Sequence, residues 1–201
     1  MTQTGAQGWL LQPAGLLALC PLLAAGGTLQ SATCVALLFL VSLMLVATTM
    51  AVLGRRVAPE WRILTLLLVS GIWVTVLDLL LQAFAYSLSV TLGVYVPLLA
   101  ANSLLLTVGE QSLRCGDPKF AIRAGIMPGA CAALWLVTLG LIREILGTGT
   151  LFSDTQSLPG LPDPLVIMTF PVPVLQSAPG AFLVLALAGA WVAAGRAPSH
   201  H

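Results

Sequence analysis

A cysteine followed directly by a proline lies inside an apolar run near the start of the chain. The pair is Cys20-Pro21, within Leu19-Cys20-Pro21-Leu22-Leu23-Ala24-Ala25. A thiolate is a strong metal ligand, and the metal neutralises a charge that is otherwise costly in an apolar setting. The proline interrupts a helix and frees backbone groups that need other partners. A metal-bound thiolate is therefore one interpretation, but an iron–sulfur cluster normally takes four ligands, and the break offers one cysteine, so the other ligands would have to come from elsewhere. The commoner alternative is a small apolar side chain beside a kink.

A partial repeat of this string occurs 76 positions later, where Pro97 begins the same Pro-Leu-Leu-Ala-Ala sequence and the chain continues into Asn102-Ser103. The surroundings are again apolar, so a second broken helix is predicted at Pro97. A single break is typical of a proline kink, whereas two breaks at matching positions favour a paired site.

Asp78 is an acid inside a long apolar segment, four residues before Gln82. Acids at membrane depth are candidates for ion passage or proton relay. The structural alternative is a hydrogen bond to Gln82 or to a neighbouring helix, and both interpretations stay open. At the end of a later apolar segment, Arg143 and Glu144 favour a structural role in which a partner holds the arginine.

Composition places the chain in lipid. Of its 201 residues, 58% are hydrophobic and 7% charged, against roughly 25% charged in soluble domains. A net charge of +1 gives no indication of nucleic-acid binding. The four cysteines lack paired spacing and the two histidines end the chain, so a disulfide scaffold, a histidine metal site and a nucleophile–base enzyme are not predicted. The first apolar run lacks a basic segment before it and is interpreted as a span rather than a signal peptide.

Six apolar segments predict an all-α integral membrane protein with six transmembrane helices. Helices 1 and 4 contain the breaks, which are expected near the bilayer midplane. The connection 146–176 is long, and its apolar part, 165–175, is expected to lie in the interface or to re-enter the membrane. The predicted spans are 10–25, 32–53, 63–86, 90–109, 124–142 and 178–194.

This topology puts the loops after helices 2 and 4 on the same side as both termini. Seven of the eight Lys and Arg residues then lie on that side, which predicts cytoplasmic N- and C-termini and an outer 146–176 loop. Residues 1–201 form one predicted membrane domain. Because three helices reverse the chain direction, residues 1–88 and 89–201 are predicted to be inverted repeats.

Several strings resemble the family of membrane subunits that contains the E subunit of the Rnf (Rsx) electron-transport complex and the D subunit of the sodium-translocating NADH:quinone reductase. The resemblance runs from about residue 10 to residue 152, in the family's order. The strings are Leu19-Cys20-Pro21-Leu22-Leu23-Ala24, Pro59-Glu60-Trp61-Arg62-Ile63, Gly93-Val94-Tyr95-Val96-Pro97-Leu98 with Asn102, and, most specific, Leu141-Ile142-Arg143-Glu144-Ile145-Leu146-Gly147-Thr148-Gly149-Thr150-Leu151-Phe152.

The resemblance implies a subunit, not catalytic alone, of an ion-translocating ferredoxin:NAD+ oxidoreductase in the bacterial inner membrane. It implies a homologous A subunit of opposite topology and, between the two, a mid-membrane [2Fe-2S] cluster held by one cysteine from each broken helix. Electrons would pass through that cluster, coupled to movement of Na+ or H+. The implied partners are the A, B, C, D and G subunits and membrane lipid, with FMN, riboflavin and further iron–sulfur clusters in other subunits.

Carried over to this sequence, Cys20 takes the first ligand position, but the second position does not match. The family's cysteine follows an asparagine, whereas here Ser103 follows Asn102, and Thr107-Val108 stands where the family has Gly-Arg. A hydroxyl loses its proton far less readily than a thiol, so a weakened or altered cluster is expected. Ser103 as ligand, Cys131 or a partner residue as substitute, and loss of the cluster all stay open. The favoured interpretation is a cluster retained on Cys20 with incomplete thiolate ligation.

Two other functions compete. Inverted repeats with broken helices are equally typical of small secondary transporters, which would need no cluster and no partners. A scaffold subunit of the same complex without a ligand role is the third possibility, and Ser103 favours it. The sequence does not determine the coupling ion, the direction of electron flow or the partner's ligands.

Overall fold

The computed structural model describes residues 22, 26–54, 56–151, 165–166 and 177–194. Cys20, Pro21 and all of the predicted first span except Leu22 lie outside the described residues. The described part is helical apart from one pair of two-residue strands. Its elements are α1 (Leu29–Leu53), a 3₁₀ turn (Pro59–Trp61), α2 (Arg62–Phe84), α3 (Tyr86–Leu92), α4 (Tyr95–Leu98), a second 3₁₀ turn (Leu99–Ala101), α5 (Ser103–Cys115), α6 (Pro118–Thr148), β1 (Thr150–Leu151), β2 (Leu165–Val166) and α7 (Ala178–Ala194).

In the described part, three helices are long and apolar enough to cross a membrane: α1, α2 and α6. A fourth candidate span consists of α3 and the chain from Tyr95 to Cys115, bent by 67°. The predicted second, third, fourth and fifth spans are thus confirmed as helical segments. α7 coincides with the predicted sixth span, and its 17 residues extend about 26 Å, slightly less than a hydrocarbon core of roughly 30 Å. The count of six spans and the inverted repeat stay predictions.

α1 forms the centre of the described bundle, with α6 and α5 as its main neighbours and α2 beside them. Phe39, Val46 and Met50 on α1 are fully buried. α6 approaches α1 closely because it has a glycine where the backbones meet: a Cβ on Gly140 would overlap the Cβ of Ala32. Small residues permit such contacts, and packing and polar bonds then hold helices together in lipid.

Polar caps place the helix ends further out than the predicted spans. α1 starts at Leu29 rather than at residue 32, because the Thr28 and Ser31 side chains form a reciprocal capping box. The predicted 110–123 connection is mostly helical, since α5 continues to a left-handed Gly116 and Asp117 caps α6 by accepting from the Lys119 amide at 3.0 Å. The turn between α5 and α6 is therefore two residues long.

The break in the fourth span flanks Pro97 rather than falling on it. The chain turns at Gly93, whose φ of 40° suits glycine, and again at Asn102, which is extended with φ −68° and ψ 128°. Pro97 is the third residue of α4, and a proline in the first turn of a helix removes no intrahelical hydrogen bond. The predicted interruption is confirmed, and its position is corrected.

The loops that follow α1 and α5 meet at one end of the bundle. A Cβ on Gly54 would overlap the backbone of Leu113, so the ends of α1 and α5 touch. This confirms that the two loops share a side; that this side is cytoplasmic stays a prediction. The basic residues described at this end are Arg56, Arg62, Arg114, Lys119 and Arg123.

The chain after α6 turns at Gly149, which is left-handed with φ 69°. β1 and β2 then pair antiparallel, with Thr150 opposite Val166 and Leu151 opposite Leu165. Of the predicted interfacial or re-entrant segment 165–175, the structure describes the first two residues, so its placement stays a prediction.

Candidate intramembrane site

Asn102 holds the second half of the broken span in place. It is 2% exposed, its Oδ1 accepts a hydrogen bond from the Leu104 amide at 2.9 Å, and its own amide donates to the Leu99 carbonyl at 3.1 Å. Asparagine is a preferred residue at this N-cap position because its side chain satisfies an otherwise unpaired helix amide. α5 therefore begins inside the bundle, with its amide end at the break.

A serine on the neighbouring helix bonds a carbonyl in the broken segment. Ser70 on α2 is fully buried, and its hydroxyl lies 3.0 Å from the carbonyl oxygen of Ala100 and 2.9 Å from that of Leu67 on its own helix, so the two carbonyls share its single proton. Buried carbonyls in lipid need such a donor. Ser70 was not predicted from the sequence, although its spacing of four residues from Leu66 and Val74 places it on the buried face of α2.

Ser103, the predicted second ligand, is the first residue of α5 and is exposed. It lies at the break, but on the surface of the described part rather than in its core. The amide end of a helix favours negative charge on a ligand, and a group shared with a neighbouring chain needs an outward-facing position. Ser103 is thus exposed at the break, and its hydroxyl is a weaker metal ligand than a thiolate.

Cys131, the predicted substitute ligand, lies on α6 at a similar depth. α5 and α6 are level at Gly125, whose added Cβ would lie 3.5 Å from Val108 Cγ1. A two-residue turn joins the helices, so they run in opposite directions. By helical rise, Cys131 lies about 9 Å further along α6 and Ser103 about 7.5 Å back along α5, and both displacements point the same way. Cys131 is half-buried and packs against the apolar core, which agrees with the role of a small apolar residue.

Within the described ranges, no group of three or more His, Cys, Asp or Glu side chains is arranged to hold a metal ion. Cys20 lies outside those ranges, and its pairing with Ser103 stays a prediction. The described part places the exposed hydroxyl of Ser103 at the start of α5.

Asp78 lies near the end of α2 and is half-buried. Gln82 Nε2 donates a hydrogen bond to Asp78 Oδ2 at 3.0 Å, so the bond named as the structural alternative is present. A carboxylate has about four acceptor positions, and this bond uses one of them, so the others are available to an ion. Asp78 is eight residues from Ser70, or about 12 Å along α2, so the acid lies at a different level of α2 from the serine that contacts the break at Ala100.

Arg143 and Glu144 are fully buried near the end of α6. Arg143 donates from Nη1 to the Gly26 carbonyl at 2.8 Å and from Nη2 to the Ser177 carbonyl at 3.3 Å. Glu144 Oε2 accepts from the Leu29 amide at 2.7 Å. The prediction that a partner holds Arg143 is confirmed, and these partners are backbone carbonyls.

Comparison with known proteins gives a consistent set of relatives. The family model described as "Rnf-Nqr subunit, membrane protein" matches residues 12–188. Proteins named as the E subunit of an ion-translocating oxidoreductase complex match from Vibrio vulnificus (34% identity, 72% of this chain and 63% of the relative), Rhodobacter capsulatus (38%, 72% and 60%) and Shewanella baltica (33%, 86% and 76%). The match thus spans less than two thirds of the length of the first two relatives.

Proposed function

The chain belongs to the Rnf-Nqr family of membrane subunits, and we propose that it is a membrane subunit of an ion-translocating oxidoreductase of the Rnf type. The names of the relatives support this role. In it, the chain helps to carry electrons across the bacterial inner membrane between ferredoxin and NAD+, coupled to movement of Na+ or H+. It does so with a homologous A subunit and with the B, C, D and G subunits, while FMN, riboflavin and further iron–sulfur clusters belong to other subunits.

The observation that carries the proposal is the exposed break in a candidate membrane span. Irregular backbone at membrane depth is tolerated where protein or a water-filled cavity covers it. In the described part, Val94 beside the break is 77% exposed, and Ser103 at its other side is exposed as well. A neighbouring subunit on this face would remove the exposed break from lipid, which supports the proposed pairing with a homologous chain.

We propose Cys20 and Ser103 as this chain's ligands to a [2Fe-2S] cluster shared with the A subunit, with Cys131 as the alternative to Ser103. When bound, the cluster would supply a one-electron relay near the bilayer midplane. Asn102 fixes the start of α5, and the Ser70 hydroxyl offers a donor to the nearby Ala100 carbonyl. The amide end of α5 favours the negative charge of a ligand.

Asp78 is the residue proposed for the ion path, because an acid at membrane depth is costly unless it has a partner or an ion. Its bond to Gln82 holds the carboxylate in one orientation.

The loops after α1 and α5 meet at the end of the bundle that contains Arg56, Arg62 and Arg114. By the positive-inside rule, these basic residues support cytoplasmic termini.

The test is the iron and sulfide content and the electron paramagnetic resonance spectrum of the purified complex. Cys20→Ala should remove the cluster signal, and Ser103→Cys should raise cluster content. Cys115→Ala is the matched control, since Cys115 is exposed at the other end of α5, and it should leave the signal unchanged. Unchanged cluster content in Cys20→Ala overturns the ligand assignment and favours the scaffold role.

A small secondary transporter is the second candidate, favoured by the same broken helix. The purified chain in lipid vesicles would then move a substrate without partners and show no redox difference spectrum. Co-purification with a homologous six-helix subunit and flavoproteins contradicts this alternative.

A further inference from the structure

Arg62, the first residue of α2, is half-buried at the end of the bundle where the basic loops meet. It lies one helical turn before Leu66 and so shares the face of α2 that packs on α5, since a Cβ on Gly109 of α5 would overlap Leu66 Cδ1. One turn further along α5 is Leu113, whose backbone meets the end of α1 at Gly54. By helical rise, Arg62 is level with this contact and lies in a corner formed by the ends of α1, α2 and α5.

One donor of the Arg62 side chain lacks an acceptor in this corner. The Nε atom is buried, and in the part of the chain that the structure describes it has no hydrogen-bond partner. Neither Arg62 nor the exposed Glu60, two positions earlier, belongs to an ion pair among the described residues. A buried donor on a charged group is costly when it stays unpaired. The corner therefore favours an anionic acceptor that the described part does not supply.

The surroundings of the corner carry an excess of positive charge. The two loop regions at this end, 54–62 and 110–123, contain six basic and three acidic residues. One of the acids, Glu110, already pairs with Arg114 at 2.7 Å. Arg56 is exposed, two positions beyond the point where α1 meets α5. Such a surface attracts anions to this end of the bundle.

The neighbours of Arg62 in sequence suit the boundary between lipid and water. Trp61 is 60% exposed, and Ile63 and Leu64, which follow Arg62 on α2, are 71% and 57% exposed. Tryptophan is enriched at the level of the lipid headgroups, whereas exposed apolar residues on a candidate membrane span suit acyl chains. The apolar exposure continues at Leu67, one turn further along α2. A phospholipid lying along α2 would thus bring its phosphate to the level of Arg62.

We infer that Arg62, together with Arg56, binds the phosphate of an anionic phospholipid at this corner. The planar guanidinium group presents parallel donors that match two oxygens of a phosphate, and a headgroup oxygen supplies the acceptor that Nε lacks. Basic pockets between membrane helices bind anionic headgroups by the same chemistry. Inorganic phosphate shares that chemistry but has no acyl chains to lie along α2. The inference does not depend on the proposed electron-transfer role.

The test measures lipid binding to the purified full chain in an uncharged detergent by native mass spectrometry. Dioleoyl-phosphatidylglycerol is the anionic probe, and dioleoyl-phosphatidylcholine has the same chains with no net charge. The wild type should bind the anionic lipid more tightly. Arg62→Met should weaken that binding about tenfold, because it removes charge-assisted hydrogen bonds, and Arg62→Lys, which keeps the charge without the fork, should lie between. Arg56→Met should weaken it about fivefold.

Arg123→Met is the matched control, because it removes the same charge from the same end of the bundle at an exposed position on α6. It should leave binding of phosphatidylglycerol at the wild-type level. Equal losses in Arg62→Met and Arg123→Met overturn the inference, since they would indicate general attraction to a basic surface. Equal affinity of the wild type for the two lipids overturns it as well.

Inorganic phosphate separates the two sources of the anion. Added at the concentration of the lipid, it should leave bound phosphatidylglycerol in place; displacement at that concentration indicates a site for a soluble anion and overturns the lipid assignment.

Thermal unfolding separates lipid binding from a purely structural role of Arg62. Phosphatidylglycerol should raise the unfolding midpoint of the wild type and of Arg123→Met more than that of Arg62→Met, because a ligand stabilises the state that binds it. An equal rise in all three proteins contradicts the inference. Where Arg62→Met does not accumulate, Arg62→Lys and Arg56→Met decide: weaker lipid binding than in Arg123→Met supports the inference, and wild-type binding overturns it.

Discussion

Replacing Gly140 with alanine tests whether the close approach of α1 and α6 places Glu144 at the first amide of α1. The added Cβ would overlap the Cβ of Ala32 and would lie 3.7 Å from the Thr28 carbonyl oxygen. The oxygen is at an ordinary contact distance, but the Ala32 methyl group has no side-chain torsion that could move it aside, so the helices must separate. Carbon atoms in contact lie about 3.5–4.0 Å apart, which requires a separation of roughly 1–1.5 Å.

The expected loss of stability has three parts. Overpacking a close contact costs about 1–3 kcal/mol. The separation stretches the 2.7 Å bond from the Leu29 amide to Glu144 Oε2 beyond hydrogen-bond range, and bonds to charged groups contribute about 1.5–3 kcal/mol. Alanine gains about 1 kcal/mol over glycine in a helix. The net decrease in the free energy of unfolding is therefore about 1.5–5 kcal/mol.

Gly71 on α2 gives the matched control, because a Cβ there meets nothing within 4 Å. Gly71→Ala should be neutral or stabilise by up to about 1 kcal/mol. Both variants are compared by circular dichroism during titration of the purified chain with sodium dodecyl sulfate. Equal stability of the two would refute the reasoning. Adding Ala32→Gly to Gly140→Ala removes the overlapping methyl group and should recover most of the loss.

Three further substitutions test other contacts. Asn102→Ala removes the cap of α5 and should cost about 0.5–2 kcal/mol in the same titration, whereas Asn102→Ser keeps an acceptor and should cost less. Trp73→Phe removes the 2.9 Å bond from Trp73 Nε1 to Thr49 Oγ1 and should cost about 0.6–1.7 kcal/mol; its loss and that of Thr49→Val should not add. Asp78→Asn keeps an acceptor for Gln82 but removes the charge, so complex assembly should be unchanged while ion-coupled electron transfer falls. Full ion transport in that variant would exclude Asp78 from the ion path.

Long apolar runs locate α1, α2 and α6 from the sequence, because a helix in lipid needs apolar side chains over about 20 residues. The same signal does not give their ends. Single polar residues decide there: Thr28 starts α1 earlier than hydropathy predicts, and Asp117 starts α6 before its most apolar part. Capping residues close to an apolar run are thus the better guide to where a membrane helix begins.

The break shows what residue type alone leaves undecided. Pro97 predicts the correct segment but the wrong residue, because proline at the start of a short helix costs no hydrogen bond, while Gly93 adopts the positive φ that turns the chain. Ser70 escapes prediction for a different reason. Its bond to Ala100 joins residues 30 positions apart, and no local pattern specifies which carbonyl a helix serine will meet.

The broken segment carries no charged side chain of its own, and this bears on how electron and ion movement would be coupled. Residues 93–109 contain no Asp, Glu, Lys, Arg or His, and Ser70 and Asn102 supply neutral hydrogen bonds there. A fixed charge beside a redox group shifts its potential. Asp78 lies about 12 Å from Ser70 along α2, and at an effective dielectric constant of about 20 two unit charges at that distance interact by about 1.4 kcal/mol, or about tenfold in an equilibrium constant. An ion bound at Asp78 and a unit charge at the level of Ser70 would therefore affect each other by about this amount without sharing a ligand.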